Sequence, residues 1–240
     1  MKNIVKTSMS VAIMAGLLMV AGPAAGQEVS GPVPWISHIK GKDNSLMVKQ
    51  PDTDWFEATV NTPIGEGDMI WQDPGGRSEI YIDRGTYLRL ESNTGVQFTG
   101  LTDDEVRAVL TRGKAVVGNG RGAPLKLDVP GQTITIPHGS QARVTVSEKG
   151  DTEVAARRGF LTVDGPKGQF RLNPGQSLKA DERGDNVRLD RTHGADSFDQ
   201  WSDLRDASLA VKAPPTNVVN YLPEPAVADL ASNGVWINDP

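Results

Sequence analysis

From Val33 to about Leu189 the chain alternates apolar and polar residues with a period of two, and glycine-bearing turns interrupt the alternation at short intervals. Successive side chains of an extended strand point to opposite faces, so this pattern predicts strands with one buried face and one wet face. Ile80 and Ile82 share one face of a strand, Leu88 and Leu90 one face of the next, and Val96 and Phe98 one face of a third. Arg89, Glu91 and Gln97 fall on the opposite faces and are expected to meet water. The turns DRGT and SNTG place Gly85 and Gly95 at tight reversals, so residues 85–98 are expected to form paired strands. The same device recurs in KLDVPGQTITI, GSQARVTVSEKGDTEVAA, RGFLTVDG and FRLNPGQSLKA. One face of every hairpin must be buried against another element. The expected fold is therefore all-β, with stacked antiparallel hairpins arranged as a sandwich or as a short β-solenoid of double-stranded β-helix type.

Three segments depart from that rhythm. TDDE at Thr102–Glu105 has capping-box spacing, but the following VRAVLTRGKAVV repeats at period two and reaches Gly113 after eight residues, which predicts a strand. GNGRG at 118–122 lacks the Lys-Ser/Thr and the helix of a phosphate cradle and reads as a hairpin tip. SFDQWSDLRDASLA is the strongest helical stretch. Ser197 and Gln200 are spaced as a capping box, and Phe198, Trp201, Leu204 and Leu209 are expected on one face packed against the sheet. Beyond it four prolines between 214 and 225 restrict helix formation until a short turn at AVADL, so this part reads as a Pro-rich strap.

The first 26 residues carry Lys2 and Lys6, an apolar run from Val11 to Ala21, and Ala24 and Gly26 ahead of Gln27. This is the pattern of a cleaved signal peptide, and the run is shorter than the roughly 20 apolar residues of a bilayer span. The expected organisation is a leader at 1–26, a β domain at 27–192 and a C-terminal extension at 193–240, with a periplasmic or secreted location and no membrane anchor after cleavage. Removing the leader takes away two lysines and no acid, which moves the formal net charge from −5 to −7. An acidic chain argues against a nucleic-acid partner, because such binding draws its affinity from clustered Lys and Arg. The chain has no cysteine, which excludes disulfides and thiolate metal sites.

Catalytic and metal constellations are sparse in the sequence. His38, His138 and His193 lie far apart without the close ligand pairs of zinc or iron sites, and Ser140 in HGSQA is not in a G-x-S-x-G elbow. Asp103, Asp104 and Glu105 lack the spacing of a calcium loop. No cofactor is expected. Tryptophan stands out instead, with five among thirteen aromatics. Trp71 lies in GDMIWQDPGG, where Met69 and Trp71 share a face opposite Ile70, so one of the two faces is expected to be partly exposed. Trp71, Tyr221 and Trp236 are the candidate interaction residues, and Phe198, Trp201 and Leu204 the candidate structural ones.

WFEATVNTPIGEGDMIW, GGRSEIYIDRGTYLRLESNTGVQF, VRAVLTRGKAVV, GDTEVAARRGFLTVDG and FRLNPGQSLKA, in that order, resemble a FecR domain. FDQWSDLRD and the later YLPEP and ADLASNGVW segments resemble a secreted subset of that family with a C-terminal Phe-Asp-x-Trp, Arg-Asp and Gly-x-Trp region of unknown function. The resemblance covers about residues 33–236 and implies an all-β periplasmic or extracellular domain, which in the best-known members relays a signal to a sigma factor. Only about ten residues precede the apolar run, so the cytoplasmic segment that contacts the sigma factor is not expected here. The subset commonly continues past Gly-x-Trp, so an end at WINDP is expected to mark a short form or a truncated product.

These readings lead to the expectation of a non-catalytic exported β domain that binds a protein or cell-envelope partner, with a signalling role open. A carbohydrate or peptidoglycan-binding module is the alternative, since tryptophan can stack on sugar faces. An enzyme on a β scaffold is the remaining one, because a fold alone does not exclude catalysis.

Overall fold

The computed structural model describes residues 31–42, 45–210 and 222–233. The leader, the stretch 211–221 with Tyr221, and Trp236 lie outside the described residues. The first eight strands are β1 (Trp35–Lys40), β2 (Leu46–Lys49), β3 (Phe56–Glu57), β4 (Met69–Gln72), β5 (Arg77–Asp83), β6 (Thr86–Leu90), β7 (Thr94–Leu101) and β8 (Val106–Gly118). They are followed by β9 (Leu125–Val129), β10 (Gln132–Ile136), β11 (Gln141–Val146), β12 (Thr152–Arg158), β13 (Leu161–Gly165), β14 (Gly168–Leu172), β15 (Gln176–Ala180) and β16 (Arg188–Arg191). Two helices close the order, α1 (Ser197–Ala210) and α2 (Glu224–Asn233).

The strands form two layers that share β8. The first sheet runs β1-β5-β6-β8-β11-β12-β15-β16 and is antiparallel throughout. The second runs β3-β2-β4-β7-β8-β9-β10-β13-β14, with β8 and β9 as its parallel pair. Residues Val106–Arg112 of β8 pair in the second sheet and Gly113–Gly118 in the first. The inner faces meet in one apolar cluster: Ile80, Leu88, Leu90, Val144 and Leu178 come from the first sheet, and Val48, Ile70, Phe98, Leu127 and Ile134 from the second. Each of these is within 1% of full burial, and each contributes about 1.5–3 kcal/mol relative to exposure. The all-β expectation and the inward positions of Ile80, Ile82, Leu88, Leu90, Val96 and Phe98 hold.

The hairpin expectation holds at DRGT and fails at SNTG. Strands β5 and β6 pair across a two-residue turn in which Arg84 and Gly85 have φ of 45° and 77°, the geometry that matches the right-handed strand twist. After β6, however, SNTG carries the chain from the first sheet to the second, and β6 and β7 each pair with β8 instead of with each other. The period-two pattern is identical for a hairpin and for a corner between layers, so it could not separate the two. GNGRG is likewise not a hairpin tip but the crossover from β8 to the parallel β9. Asn119 within it is 1% exposed and ties three segments together, donating to the carbonyls of Ala123 and Ile136 and accepting from Thr86 Oγ1.

TDDE leads into strand β8, as the alternation indicated, with Thr102 Oγ1 accepting from the Glu105 amide at 3.1 Å. The second helix is longer than the turn expected at AVADL. It runs ten residues, and Pro225 sits in its first turn, where a missing N–H costs nothing.

The passage of β8 between layers depends on Gly113, whose φ is 96°. A Cβ there would lie 2.6 Å from both the Asn93 carbonyl oxygen and the Thr94 Cα, which are backbone atoms that cannot swing aside. Gly113→Ala is expected to lower stability by at least about 1–3 kcal/mol, measured as a reduced urea midpoint. An unchanged midpoint would show that the bend tolerates a side chain.

Candidate functional site

The outer face of the first sheet is not the wet surface that the alternation implied. Arg89 and Glu79, neighbours across β5 and β6, are fully buried and joined at 2.7 Å. Glu91 keeps 17% of its side-chain exposure and pairs with Arg77 and Lys114. The cause is α1, which lies across this face. Period two assigns a residue to a face but carries no information about what covers that face.

Two kinds of contact join α1 to the sheet, and α2 packs against it as well. Phe198 and Trp201 stack with ring centroids 5.8 Å apart and form a small apolar cluster with Tyr87 and Val116. The Arg77 guanidinium stands 5.7 Å from the Phe198 ring and 5.9 Å from that of Trp201. Around the cluster runs a lattice of charges in which Asp196, Asp199, Asp203 and Asp206 meet basic groups of the sheet. Arg143 pairs with Asp196 at 2.5 Å and with Asp199 at 3.1 Å. Arg157 donates to both carboxylate oxygens of Asp203 at 3.0 Å. Arg89 reaches Asp206 at 2.8 Å and donates to the Ser202 carbonyl at 2.6 Å. Arg205 of the helix closes on the other side of Glu79 at 2.7 Å.

The helix start also differs from the expected box. The cap is Asp196, whose carboxylate accepts from the amides of Phe198 and Asp199 at 2.9 and 3.0 Å, while Asp199 accepts from the Asp196 amide in return. Ser197 instead accepts from Arg77 of the sheet at 2.8 Å. Asp196 satisfies the orphan amides of Phe198 and Asp199, one residue earlier than a serine cap at 197 would, and docking decides between them because Arg77 occupies the serine.

The charges set the ionisation of this face. Burial alone would raise the Glu79 carboxyl, but the hydrogen bond from Arg205 and the field of Arg89 outweigh it and hold the group below its ordinary 4.5. His38 of β1, with its ring centroid 6.2 Å from that of Trp201, is held below its ordinary 6.5 by burial and by Arg205. Burial pushes the Tyr87 phenol up to about 12, although the adjacent Arg89 opposes it. Beside the N-terminus of α1 opens a cleft of about 560 Å³ lined by Lys114, Arg143, Thr145, Glu153, Arg157 and His193. His193 Nε2 lies 3.0 Å from Lys179 Nζ and 3.5 Å from Glu153. Among the described residues no three His, Asp or Glu side chains are grouped to hold a metal ion.

The second sheet presents a different outer face. Ile70 is 1% exposed and points inward, whereas Met69 is 39% exposed and Trp71 partly so, as the sequence indicated. Met47 and Gly95 flank Trp71 in register. The Trp71 ring lies over Gly95, where a Cβ would come within 3.3–3.4 Å of ring carbons, and its indole N–H donates to Asp73 at 2.7 Å. The same Cβ would lie 2.8 Å from Thr111 Oγ1, so Gly95 answers to a close approach rather than to a turn. At the rim, on and beside edge strand β3, Trp55 and Phe56 are 44% and 36% exposed.

Of the six residues singled out from the sequence, Phe198 and Trp201 pack on the sheet as expected, at 0% and 6% exposure. Leu204 does not: it is 69% exposed. At 100° per residue it lies roughly 240° around the helix from Phe198, on the side away from the sheet. Tyr221 and Trp236 lie outside the described residues. The charged partners Glu79, Arg89, Arg143, Arg157 and Arg205 were not singled out, although the spacing of Asp196, Asp199, Asp203 and Asp206 along one helix side was a readable signal for a basic counterpart. Among the described residues no helix is long and apolar enough to cross a membrane.

No family model matches this chain, and no curated protein matches it. Two crystal structures of a candidate anti-sigma factor from Parabacteroides distasonis are similar, at 18% and 19% identity and a TM-score of 0.45, over 51% of this chain. This chain spans 59% of the length of those structures. A likeness at that level carries no functional argument.

Phe198→Ala is expected to cost about 3–5 kcal/mol, read by chemical denaturation, while Leu204→Ala stays within about 0.5 kcal/mol. Comparable losses in both would refute the one-sided docking of α1. Acid should loosen this face in two stages. A group whose folded pKa is depressed contributes stability that is present above its unfolded pKa and lost as pH falls through the folded one. His38 therefore removes stability below about 6.5 and Glu79 below about 4.5. Glu79→Gln should flatten the lower limb of a melting-temperature profile, and an unaltered limb would contradict the assignment.

Proposed function

We propose that the protein is a non-catalytic, exported β domain of the FecR-like type that binds an envelope protein through the outer face of its second sheet. The observation that carries the reading is the partly exposed Trp71 ring, fixed against Gly95 and tethered to Asp73, beside Met69 and Met47. Trp and Met are enriched at protein interfaces, and a tryptophan with its rotamer already fixed loses little entropy on binding. Glu57 of the short edge strand β3 stands opposite Met47 and borders this ridge, while Phe56 lies in register with the inward Val48. Export rests on the leader pattern of residues 1–26, and the FecR-like reading on the ordered sequence resemblance across residues 33–236.

A glycan ligand is the second reading, favoured by the same ring. A flat indole held on a sheet, hydrogen-bonded to Asp73 and with Gln97 opposite Met69 on the same face, is the type of platform on which a pyranose stacks.

Affinity capture from envelope extract should recover a protein with the natural chain and lose it by about tenfold or more with Trp71→Ala, with the strand content of the variant retained by circular dichroism. Equal recovery by both would reject the Trp71 face. Co-sedimentation with purified cell wall that depends on Trp71 would move the assignment to the glycan.

A further inference from the structure

The contact between α1 and the first sheet is made more of charged groups than of apolar fit. Eight buried side-chain nitrogen or oxygen atoms among the described residues have no hydrogen-bond partner within the protein, and five of them lie here: Arg89 Nη2, Arg143 Nε, Arg157 Nη1, Arg205 Nε and Asp199 Oδ1. Arg157 Nη1 stands 3.6 Å from Asp199 Oδ1, within ion-pair range but beyond a hydrogen bond. Buried charges with unfilled hydrogen-bonding positions hold an interface less well than an apolar fit of the same area. The apolar part is small, with two aromatic rings seated against Tyr87 and Val116. The tether leaves room around it: Gly194 and Ala195 are exposed, and a Cβ on Gly194 would meet nothing within 4 Å.

The face under α1 is chemically specific. Arg77, Arg89, Lys114, Arg143 and Arg157 project from β5, β6, β8, β11 and β12 with Glu79 and Glu91 among them; Arg77 donates to Ser197, and the other four meet the cap carboxylate Asp196 and the α1 carboxylates at 199, 203 and 206. The spacing of three, four and three residues keeps these groups along one side of a helix, with Phe198 and Trp201 beside them. We propose that this face is a docking groove for an acidic helix bearing two aromatic anchors, that α1 occupies it as an internal ligand, and that a partner protein carrying such a helix binds by displacing α1. The occupant is set by charge complementarity: five cations outnumber Glu79 and Glu91 on this face and call for carboxylates, while Glu79 accepts the single arginine that α1 brings, Arg205. This site lies on the first sheet and is independent of the Trp71 face.

The test uses the full chain and a fluorescent synthetic peptide with the sequence of residues 195–210. In Phe198→Ala/Trp201→Ala the internal helix is weakened while every groove residue is retained. Removing an internal competitor raises apparent affinity by the fraction of grooves it frees, so this variant should bind the peptide at least about tenfold more tightly than the natural chain. Binding should weaken with salt and be lost with an Asp199→Asn/Asp203→Asn peptide. No binding by the folded variant, or equal binding of the Asn peptide, overturns the proposal. Trp71→Ala should leave peptide binding unchanged, which separates this outcome from failure of the other face. If the double variant does not fold, hydrogen exchange on the natural chain decides. Release of α1 amides while β8 and β11 stay protected supports the groove, and exchange of α1 only in step with β8 refutes it.

Discussion

Strand β8 gives its first half to one sheet and its second half to the other, and the two layers are registered against each other through it. Val106, Ala108 and Leu110 face the core from the second sheet, and Ala115 and Val117 from the first. Because side chains alternate strictly along a strand, a slip of one residue anywhere on β8 would turn apolar groups outward in both layers at once. Gly113 sits where the strand passes between layers and makes that passage sterically feasible. The pairings of β6, β7, β9 and β11 all build outward from this one strand.

On this frame the two outer faces meet water differently. The first sheet carries a concentration of charge that is partly withdrawn from solvent by α1, and magnitudes decide what holds the helix. The Arg157–Asp203 pair, with Asp203 57% exposed, belongs to the class worth about 0–1 kcal/mol. Phe198, fully buried, belongs to the class worth several. The Arg89–Glu79 pair lies deeper, and removing either partner leaves an uncompensated charge at a cost of about 3–5 kcal/mol, although the pair itself adds little net stability. The aromatic rings therefore hold the helix, and the charges select which helix can be held.

The second sheet presents Trp71, Met69 and Met47 on its outer face, and its charges gather farther along, where Arg107 pairs with Glu105 and Asp128 and Lys126 pairs with Glu105. A chain that clasps one face with its own helix and leaves an apolar ridge partly exposed on the other has two chemically distinct surfaces. Their separation matters for function because a partner on one need not compete with a partner on the other.

The sequence by itself determined the strands, the inward residues Ile80, Leu88, Leu90, Val96 and Phe98, the helix at Ser197–Ala210, and the partial exposure around Trp71. Periodicity and turn chemistry are local properties, readable over a few residues. Only the tertiary structure decided that SNTG is a corner between layers, that Asp196 rather than Ser197 caps the helix, that Leu204 faces solvent, and that Arg89 is buried. Each of these depends on a partner distant along the chain, such as Arg77 for Ser197 and Ser202 for Arg89, which lie 120 and 113 residues apart. Alternation names two faces of a strand, and whether the polar one meets water or a helix is settled by which distant segment comes to rest upon it.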